Sequence, residues 1–319
     1  MGQHDPTTLS IIIACYNGSL TLSNVLEKVL ASRNEMSCSG KYEILLVDDG
    51  SRDNSWEVIE SLAKQYPDVV HGIRLSRNFG QHNALMCGFH HARGDIIITM
   101  DDDGQHPPEE IPKLLETLER TGADVVYGVP QRKEHHWLRN LASAMVRAFF
   151  RWVFRLKVDP SPFRAIRRDI VQLILPYDLS FVYLDGLLAW YTDRFAQVEV
   201  EHRPRLHGRS TFTLGKLITL AFNLFTNFAI GPLQVVSLIG FANTIFGLIL
   251  AAYYLVMRLI GQITVPGFAT VAILVLVIGG LQLLSLGLIG EYLGRVHLNV
   301  NRKPQFAVRE VAGDIAVED

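Results

Sequence analysis

The chain has 319 residues and a formal net charge of −2. This length allows one sizeable α/β domain and a smaller second unit, and the near-neutral charge gives no reason to expect a nucleic acid partner. Charged residues are common up to Lys216, but 218–257 carries none, and neither does 259–290 after Arg258. The composition therefore predicts a water-soluble domain followed by a membrane domain.

The order of apolar runs indicates an alternation of strands and helices in the first part of the chain. Continuous β-branched runs predict strands, and segments with apolar residues on one helical face predict helices. The predicted strands are 9–15, 42–47, 69–75, 95–100 and 123–128, and the predicted helices are 21–32, 54–66, 81–92 and 109–120. Because each strand is a continuous apolar run, we expect a mostly parallel sheet covered by helices on both faces.

Polar residues follow four of these strands at the point where each strand ends. They are Tyr16 and Asn17, Asp48 and Asp49, Arg77 and Asn78, and Asp101 to Asp103. Open α/β sheets bind ligands at the carboxyl ends of their strands, so these clusters predict a nucleotide site along one edge. No GxGxxG follows the first strand and the chain has no P-loop sequence, which argues against a dinucleotide-binding domain and against a P-loop protein.

The most unusual cluster is the run of three aspartates, Asp101 to Asp103, directly after an apolar strand. Adjacent carboxylates repel one another, so their placement at the end of a buried strand does not favour stability. A hard divalent cation together with a phosphate-bearing ligand would explain them. A solvated acidic turn before a helix is the alternative that this segment alone leaves open.

Four segments after residue 135 have membrane character. The segment 136–157 mixes arginines with aromatic and aliphatic residues, which favours an amphipathic helix at the lipid headgroups over an ordinary surface helix. A second interfacial helix is predicted at 213–230, and two membrane-spanning helices at about 232–258 and 267–289 within a hairpin of 231–290. The predicted domains are thus 1–212, the hairpin, and a tail of 291–319.

Basic residues flank the predicted hairpin on the side of both termini. These residues are Lys216, Arg295, Arg302 and Lys303. The positive-inside rule places that side in the cytoplasm. We therefore expect a multi-pass membrane protein, with the first domain and the tail cytoplasmic.

Several motifs resemble those of a known enzyme family. The segments 10–17 (SIIIACYN), 47–51 (VDDGS) and 101–105 (DDDGQ) resemble the signature of inverting, family 2 glycosyltransferases with a GT-A fold. The segments 77–82, 105–109, 163–164, 208–210 and 290–295 are similar to the polyprenyl-phosphate branch of that family. That branch includes undecaprenyl-phosphate glucosyltransferases, aminoarabinose transferases and dolichol-phosphate mannose synthases. The resemblance covers nearly the whole chain and implies a GT-A (Rossmann-like) sheet domain with a membrane hairpin.

The resemblance also implies roles for individual residues. A nucleotide-sugar pocket would be formed by Tyr16, Asn17, Asp48, Asp49, Asp101 and Asp102. A divalent metal, Mg²⁺ or Mn²⁺, would be held by Asp101, Asp103 and Gln105. The phosphate of the lipid acceptor would be engaged by Arg132, Ser161, Arg164, Arg205 and Ser210. Within these sets the catalytic residues would be Asp101, Asp103 and Arg164.

The implied reaction moves a sugar from a nucleotide-sugar donor to the phosphate of a membrane polyprenyl phosphate, such as undecaprenyl phosphate. UDP-glucose is favoured as donor because 265–267 and 290–295 resemble the glucosyl branch, although 81–82 and 107–110 also resemble the aminoarabinose branch. The chain departs from the branch at Gly18, Pro162 and Thr211, positions that bear on the acceptor loop and the sugar. Whether it forms a homo-oligomer through its membrane helices stays open.

Two other functions compete with this interpretation. A processive polysaccharide synthase would need a QxxRW motif after the aspartates, but the only Arg-Trp pair, Arg151-Trp152, has Ala148 in the position of the Gln. A catalytically inactive membrane adaptor with the same fold would not need the aspartates or Arg164. Both alternatives are therefore disfavoured.

Overall fold

A computed structural model of the chain describes residues 8–32, 42–130, 158–203, 231–260 and 267–315. The predicted interfacial helices at 136–157 and 213–230 lie outside the described residues. The chain divides into two compact units, one of residues 1–211 with 302–319 and the other of residues 212–301. Residues 302–319 thus group with the first unit and residues 291–301 with the second, and the cytoplasmic tail of 291–319 stays a prediction.

The described part of the first unit is built around an eight-stranded sheet with the strand order β7-β5-β6-β4-β1-β2-β3-β8. Strand β1 pairs in parallel with β2 and β4, β2 with β3, and β5 with β7, whereas β6 and β8 are antiparallel to their neighbours. The strands are β1 (Leu9–Cys15), β2 (Tyr42–Asp48), β3 (Val70–Leu75), β4 (Ile96–Asp101), β5 (Val125–Pro130), β6 (Arg164–Arg167), β7 (Phe195–Val200) and β8 (Val308–Ala312).

Helices cover both faces of the sheet, as the sequence predicts. They are α1 (Leu22–Ala31), α2 (Ser55–Gln65), α3 (Gln81–His91), α4 (Ile111–Thr121), α5 (Arg168–Ile174) and α6 (Leu184–Tyr191), with a 3₁₀ turn at Pro108–Glu110. Successive strand residues point to opposite faces. On β1, Ile11 and Ile13 belong to the core shared with α1, α2 and α4, whereas Ile12 packs against Gly88 of α3. The mostly parallel, two-faced sheet is therefore confirmed.

Among the described residues of the first unit, the structure adds five elements after β5 that the sequence pattern does not predict. Strand β6 inserts between β4 and β5, helices α5 and α6 follow it, and β7 closes that end of the sheet. At the opposite end, β8 pairs with β3, and the side chain of Arg74 lies 3.3 Å from that of Glu310. The tail of the chain therefore covers the edge of β3, which would otherwise expose unpaired backbone groups.

The described part of the second unit consists of helices α7 (Gly231–Leu259) and α8 (Phe268–Val300). One segment, Val277–Val300, is long and apolar enough to cross a membrane, and the shorter apolar segment Gln234–Leu250 is not. Helix α8 continues to Val300, past the predicted end of the second span at 289. The two-span hairpin stays a prediction.

Candidate active site

The carboxyl ends of β1, β2 and β4 meet at one edge of the sheet. In the parallel register Cys15 is opposite Asp48, and Ala14 is opposite Asp101. The residues that follow these strands are therefore neighbours, as the sequence predicts. Tyr16, the first residue of the β1 loop, is 44% exposed and so accessible to a ligand at this edge.

The loop after β1 is fastened to the loop after β2 by short polar contacts. The backbone N–H of Asn17 donates to Ser51 Oγ at 2.8 Å, and the side-chain oxygen of Asn17 accepts from the backbone N–H of Arg52 at 2.8 Å. The N–H of Gly18 donates to Ser55 Oγ at 2.9 Å. Asn17 adopts a positive φ of 56°, a conformation that asparagine tolerates better than most residues. Its side chain therefore joins these two loops.

Asp48 and Asp49 are both buried and both bind backbone amides. Asp48 Oδ1 accepts from the N–H of Ser51 at 2.9 Å, and burial raises the pKa of this carboxyl. The two oxygens of Asp49 accept from the N–H groups of Phe79 and Gly80 at 2.7 and 2.9 Å. Burial raises the pKa of Asp49 to about 6, although these two hydrogen bonds act in the opposite direction. Asp49 thus fixes the loop between β3 and α3.

That loop leads directly to the aspartate triplet. Gln81, the first residue of α3, donates its side-chain N–H to Asp101 Oδ1 at 2.5 Å. Asp102 is turned toward the β1 loop instead, where it accepts a backbone hydrogen bond from Tyr16. A Cβ atom on Gly18 would lie 2.2 Å from Asp102 Oδ2, so the glycine at position 18 leaves room for this carboxylate. Burial, followed by the neighbouring Asp101 and Asp103, raises the pKa of Asp102 to about 7.

A candidate metal centre is formed by Asp101, Asp103 and His106. Each of these residues offers one ligand atom, and the three atoms lie within 4.8 Å of one another. The ring of His106 is 6% exposed, and its Nδ1 has no hydrogen-bond partner in the part of the chain that the structure describes. Burial and then His202 lower the pKa of His106 to about 4, so the ring is neutral at pH 7 and able to ligate a cation. A neutral, buried imidazole beside two carboxylates fits a divalent ion.

Gln105, the third ligand that the resemblance implies, makes other contacts. Its side-chain nitrogen lies 3.1 Å from Nε2 of His202, and its backbone N–H donates to Asp103 Oδ1 at 3.0 Å. The sequence motif does not single out His106, because the resemblance names Gln105 at this ligand position. The signal available was a histidine in the same short loop, two residues before Pro108 and three after Asp103.

Of the residues implied for the acceptor phosphate, the structure describes Ser161 and Arg164. Ser161 is buried, with its Oγ accepting from the N–H of Phe163 at 3.3 Å. Arg164 is 2% exposed and donates from Nη1 to Asp185 Oδ1 at 2.5 Å. Asp185, like His106, was not singled out in the sequence. Three further implied residues lie outside the described ranges: Arg132, Arg205 and Ser210.

The family described as Glycosyl transferase family 2 matches residues 10–175. The chain is 35% identical over 308 residues to the undecaprenyl-phosphate 4-deoxy-4-formamido-L-arabinose transferase of Shewanella sediminis, covering 95% of this chain and 92% of that protein. The protein of the same name from Proteus mirabilis is 36% identical over 310 residues, with 96% and 94% covered.

Among solved structures, the chain resembles glucosyl-3-phosphoglycerate synthase from Mycobacterium tuberculosis in complex with Mn²⁺, UDP-glucose and phosphoglyceric acid. The TM-score is 0.50 at 19% identity, and the match covers 69% of this chain and 78% of that one. At this identity the likeness bears on the fold alone, and it agrees with the predicted GT-A architecture.

Proposed function

The chain belongs to glycosyl transferase family 2, and from that premise we propose that it transfers a sugar from a nucleotide-sugar donor to the phosphate of a membrane polyprenyl phosphate. The observation that carries the proposal is the set of carboxylates at the sheet edge, with the buried Arg164 on the adjacent strand β6. Relatives named as undecaprenyl-phosphate sugar transferases match the chain over nearly its whole length, which supports the acceptor.

The aspartates would bind the diphosphate end of the donor. Mg²⁺ or Mn²⁺ would be held by Asp101, Asp103 and His106. The ion would neutralise the negative charge that develops on the leaving diphosphate. Gln105, the ligand predicted from the resemblance, would then support the loop through His202 and Asp103. Gln81 orients Asp101 by its hydrogen bond.

The nucleotide end of the donor would lie between the loops after β1 and β2. Tyr16 presents an exposed ring there, and Asp49 holds the wall formed by Phe79 and Gly80. Because Asn17 Oδ1 and Asp48 Oδ1 accept hydrogen bonds from the backbone of 51–52, these two atoms would contribute to the shape of this pocket. Both roles are proposals that a nucleotide complex would test.

The acceptor would approach as an anion and needs positive charge to hold it beside the aspartates. A phosphate monoester has its second pKa near 6, so at pH 7 it is mostly dianionic and already nucleophilic. A dedicated general base is therefore not required. The site needs arginine side chains that bind the acceptor phosphate. Arg164 supplies a guanidinium at this sheet edge, and Arg132, Ser161, Arg205 and Ser210 stay predictions for the same phosphate.

Two donors are compatible with these relationships. The sequence motifs favour UDP-glucose, whereas the names of the relatives support a nucleotide-linked 4-deoxy-4-formamido-L-arabinose. A thermal-shift screen of both donor types with Mn²⁺ would separate them. The apolar segment Val277–Val300 supports attachment to a bilayer. The predicted two-span topology rests on the apolar segments and basic flanks of the sequence, and a bacterial inner membrane is what the resemblance to the family implies.

The deciding experiment incubates the full chain in detergent with radiolabelled donor, Mn²⁺ and undecaprenyl phosphate. Label that becomes chloroform-soluble and labile to mild acid supports the proposed transfer to a lipid phosphate. Label in a polymer would instead support a processive synthase. No transfer from any donor would support an inactive adaptor.

A further inference from the structure

A cluster of buried polar side chains surrounds Asp185, the second residue of helix α6. Asp185 is 5% exposed, and its Oδ1 accepts from Arg164 Nη1 at 2.5 Å and from the hydroxyl of Tyr127 at 2.9 Å. Tyr183 also hydrogen-bonds to this carboxylate. The guanidinium of Arg164 lies over the ring of Tyr127, 5.8 Å from its centroid. The Asp185 carboxylate thus accepts hydrogen bonds from the hydroxyls of Tyr127 and Tyr183 and from the guanidinium of Arg164.

Stability does not account for this arrangement. Two charges lose their hydration when they are buried, and a well-packed apolar pair of similar volume is often as stable or more stable. Moreover, Arg164 Nε is buried and has no hydrogen-bond partner among the residues that the structure describes. A buried donor without a partner is unfavourable for folding. The Arg164–Asp185 pair therefore fixes the direction of the guanidinium and leaves its Nε–H available to a ligand.

The position of Arg164 in the sheet relates this donor to the candidate metal centre. Strand β6 runs antiparallel to β4, with Arg164 opposite Thr99, so the first residue of β6 lies toward the carboxyl end of β4. The preceding residue, Phe163, stacks on the ring of His106 with centroids 5.4 Å apart. The guanidinium is therefore placed at the same sheet edge as Asp101.

The other side of the cluster is also joined to that edge. The N–H of Leu184, next to Asp185, donates to His82 Nδ1 at 3.4 Å, and the His82 ring contacts Tyr183 at 5.2 Å between centroids. His82 follows Gln81, whose side chain binds Asp101. The start of α6 and the start of α3 are thus tied together, so the position of Asp185 is fixed relative to the aspartates.

We propose that Asp185 is a positioning residue for the acceptor, which fixes Arg164 through Nη1 so that the Nε–H of the guanidinium meets an oxygen of the polyprenyl phosphate. This inference rests on the proposed function, because it assumes that Arg164 receives the acceptor anion. A guanidinium is a planar fork, so anchoring one end of it determines where its remaining donors point. Tyr127 and Tyr183 prevent Asp185 from turning away from the fork.

The test compares Asp185→Asn with a matched control, Asp124→Asn. Asp124 lies at the start of β5 and accepts from Arg194 Nε at 3.1 Å, so the control also removes a carboxylate from an Asp–Arg pair. We expect Asp185→Asn to lower kcat/KM for undecaprenyl phosphate by about 10- to 100-fold, the range seen when outer supporting residues are lost. KM for the donor should change less than about twofold, because the donor-binding edge keeps its own contacts. Asp124→Asn should lower thermal stability and leave both kinetic constants unchanged.

A double-mutant cycle identifies the partner through which Asp185 acts. In an Arg164→Lys background the guanidinium is already absent, so adding Asp185→Asn should lower kcat/KM for the acceptor by less than about twofold further. Losses that multiply would show that Asp185 acts independently of Arg164 and would overturn the proposal. Wild-type acceptor kinetics in Asp185→Asn would overturn it as well.

A second variant covers the case in which Asp185→Asn does not fold. Tyr127→Phe keeps both charges and removes only the hydroxyl that holds Asp185, and it should reduce kcat/KM for the acceptor about fivefold, the value of one hydrogen bond. Acceptor kinetics equal to wild type in that variant would overturn the proposal. The wild-type chain is assayed first: absence of transfer there refutes the proposed function itself, whereas transfer by the wild type makes every variant result a test of Asp185.

Discussion

The two sides of strand β4 satisfy their buried charges in different ways. On the β1 and β2 side, Asp48 and Asp49 accept hydrogen bonds from backbone amides of neighbouring loops. On the β5 and β6 side, Asp185 is bonded to side chains, a guanidinium and two phenols. The first side therefore uses carboxylates to hold loops, and the second uses a carboxylate to aim a positive charge.

This difference shows what each side needs from a ligand. The carboxylates of the first side carry raised pKa values, to about 6 for Asp49 and about 7 for Asp102, chiefly because burial disfavours their charge. A divalent cation held by Asp101 and Asp103 would offset the repulsion that these two carboxylates exert on Asp102. On the second side Arg164 is already paired with Asp185, and the Arg164 Nε–H remains available to bind an anion. The two sides thus match the two substrates of the proposed transfer.

The largest effect is expected from Asp103→Asn on the β1 and β2 side of strand β4, which we call the cation side. Loss of one ligand charge should reduce kcat by about 10³-fold, because stabilisation of the leaving diphosphate is the main electrostatic task of the site. The matched control is Asp95→Asn at the amino end of β4, where Asp95 Oδ2 accepts from the N–H of Thr8 at 2.9 Å. Turnover and Mn²⁺ binding by electron paramagnetic resonance are measured for both variants. Normal Mn²⁺ binding by Asp103→Asn would contradict the assignment.

The next effect distinguishes the two candidates for the third metal ligand. His106→Phe keeps an aromatic ring to stack on Phe163 but removes the ligand nitrogen. It should weaken Mn²⁺ binding by at least about 100-fold, because loss of a ligand costs no less than loss of a residue that supports one. Gln105→Leu should change Mn²⁺ affinity much less, because the Gln105 side chain contacts His202. Titration of Mn²⁺ without substrate measures both. The reverse order of affinities would restore Gln105 as the ligand.

The two sides also differ in how far they could be predicted from the sequence. Strands β1, β2 and β4 are long apolar runs, so their existence, their parallel pairing and the carboxylates at their ends could be predicted. Strand β6 has only four residues, two of them arginines, and lies antiparallel between partners distant in the chain. No periodic pattern indicates such a strand, because its burial depends on β4 and β5.

The site residues follow the same division. The aspartates at strand ends could be recognised because a carboxylate after an apolar run is conspicuous. The pairing of Arg164 with Asp185 could not, because it depends on how α6 begins beside β6. The role of His106 depends on the turn at Gly104, which has a φ of 72°, and on the stacking against Phe163. Side-chain contacts between distant segments are set by packing, which single-sequence patterns do not encode.

A smaller effect is expected from His82, which contacts the start of α6 on the β5 and β6 side. Burial lowers the pKa of His82 to about 4, compared with about 6.5 in an unfolded chain. Between pH 6.5 and pH 4 the unfolded chain therefore binds a proton that the folded chain does not, and stability is lost as the pH falls. At pH 5 this loss amounts to about 2 kcal/mol.

His82→Gln should remove that part of the acid sensitivity, because glutamine does not titrate and its oxygen can still accept from the N–H of Leu184. Thermal midpoints of the full chain in detergent at pH 7 and pH 5 give the comparison. The variant should lose less stability than the wild type between the two pH values. Equal losses would mean that His82 titrates normally in the folded protein.

The smallest effect is expected at the far edge of the cation side, where β8 covers β3. Arg74 lies 3.3 Å from Glu310 and 3.7 Å from Asp48, and the Arg74 and Glu310 side chains are 24% and 41% exposed. Partly exposed pairs contribute less than about 1 kcal/mol, so Glu310→Gln should lower stability by about 0.5 kcal/mol, and by less in 1 M salt. Because Arg74 keeps Asp48 as a partner, UDP affinity should be unchanged in a binding titration. A weakened affinity would instead show that the tail of the chain supports the nucleotide pocket through Arg74.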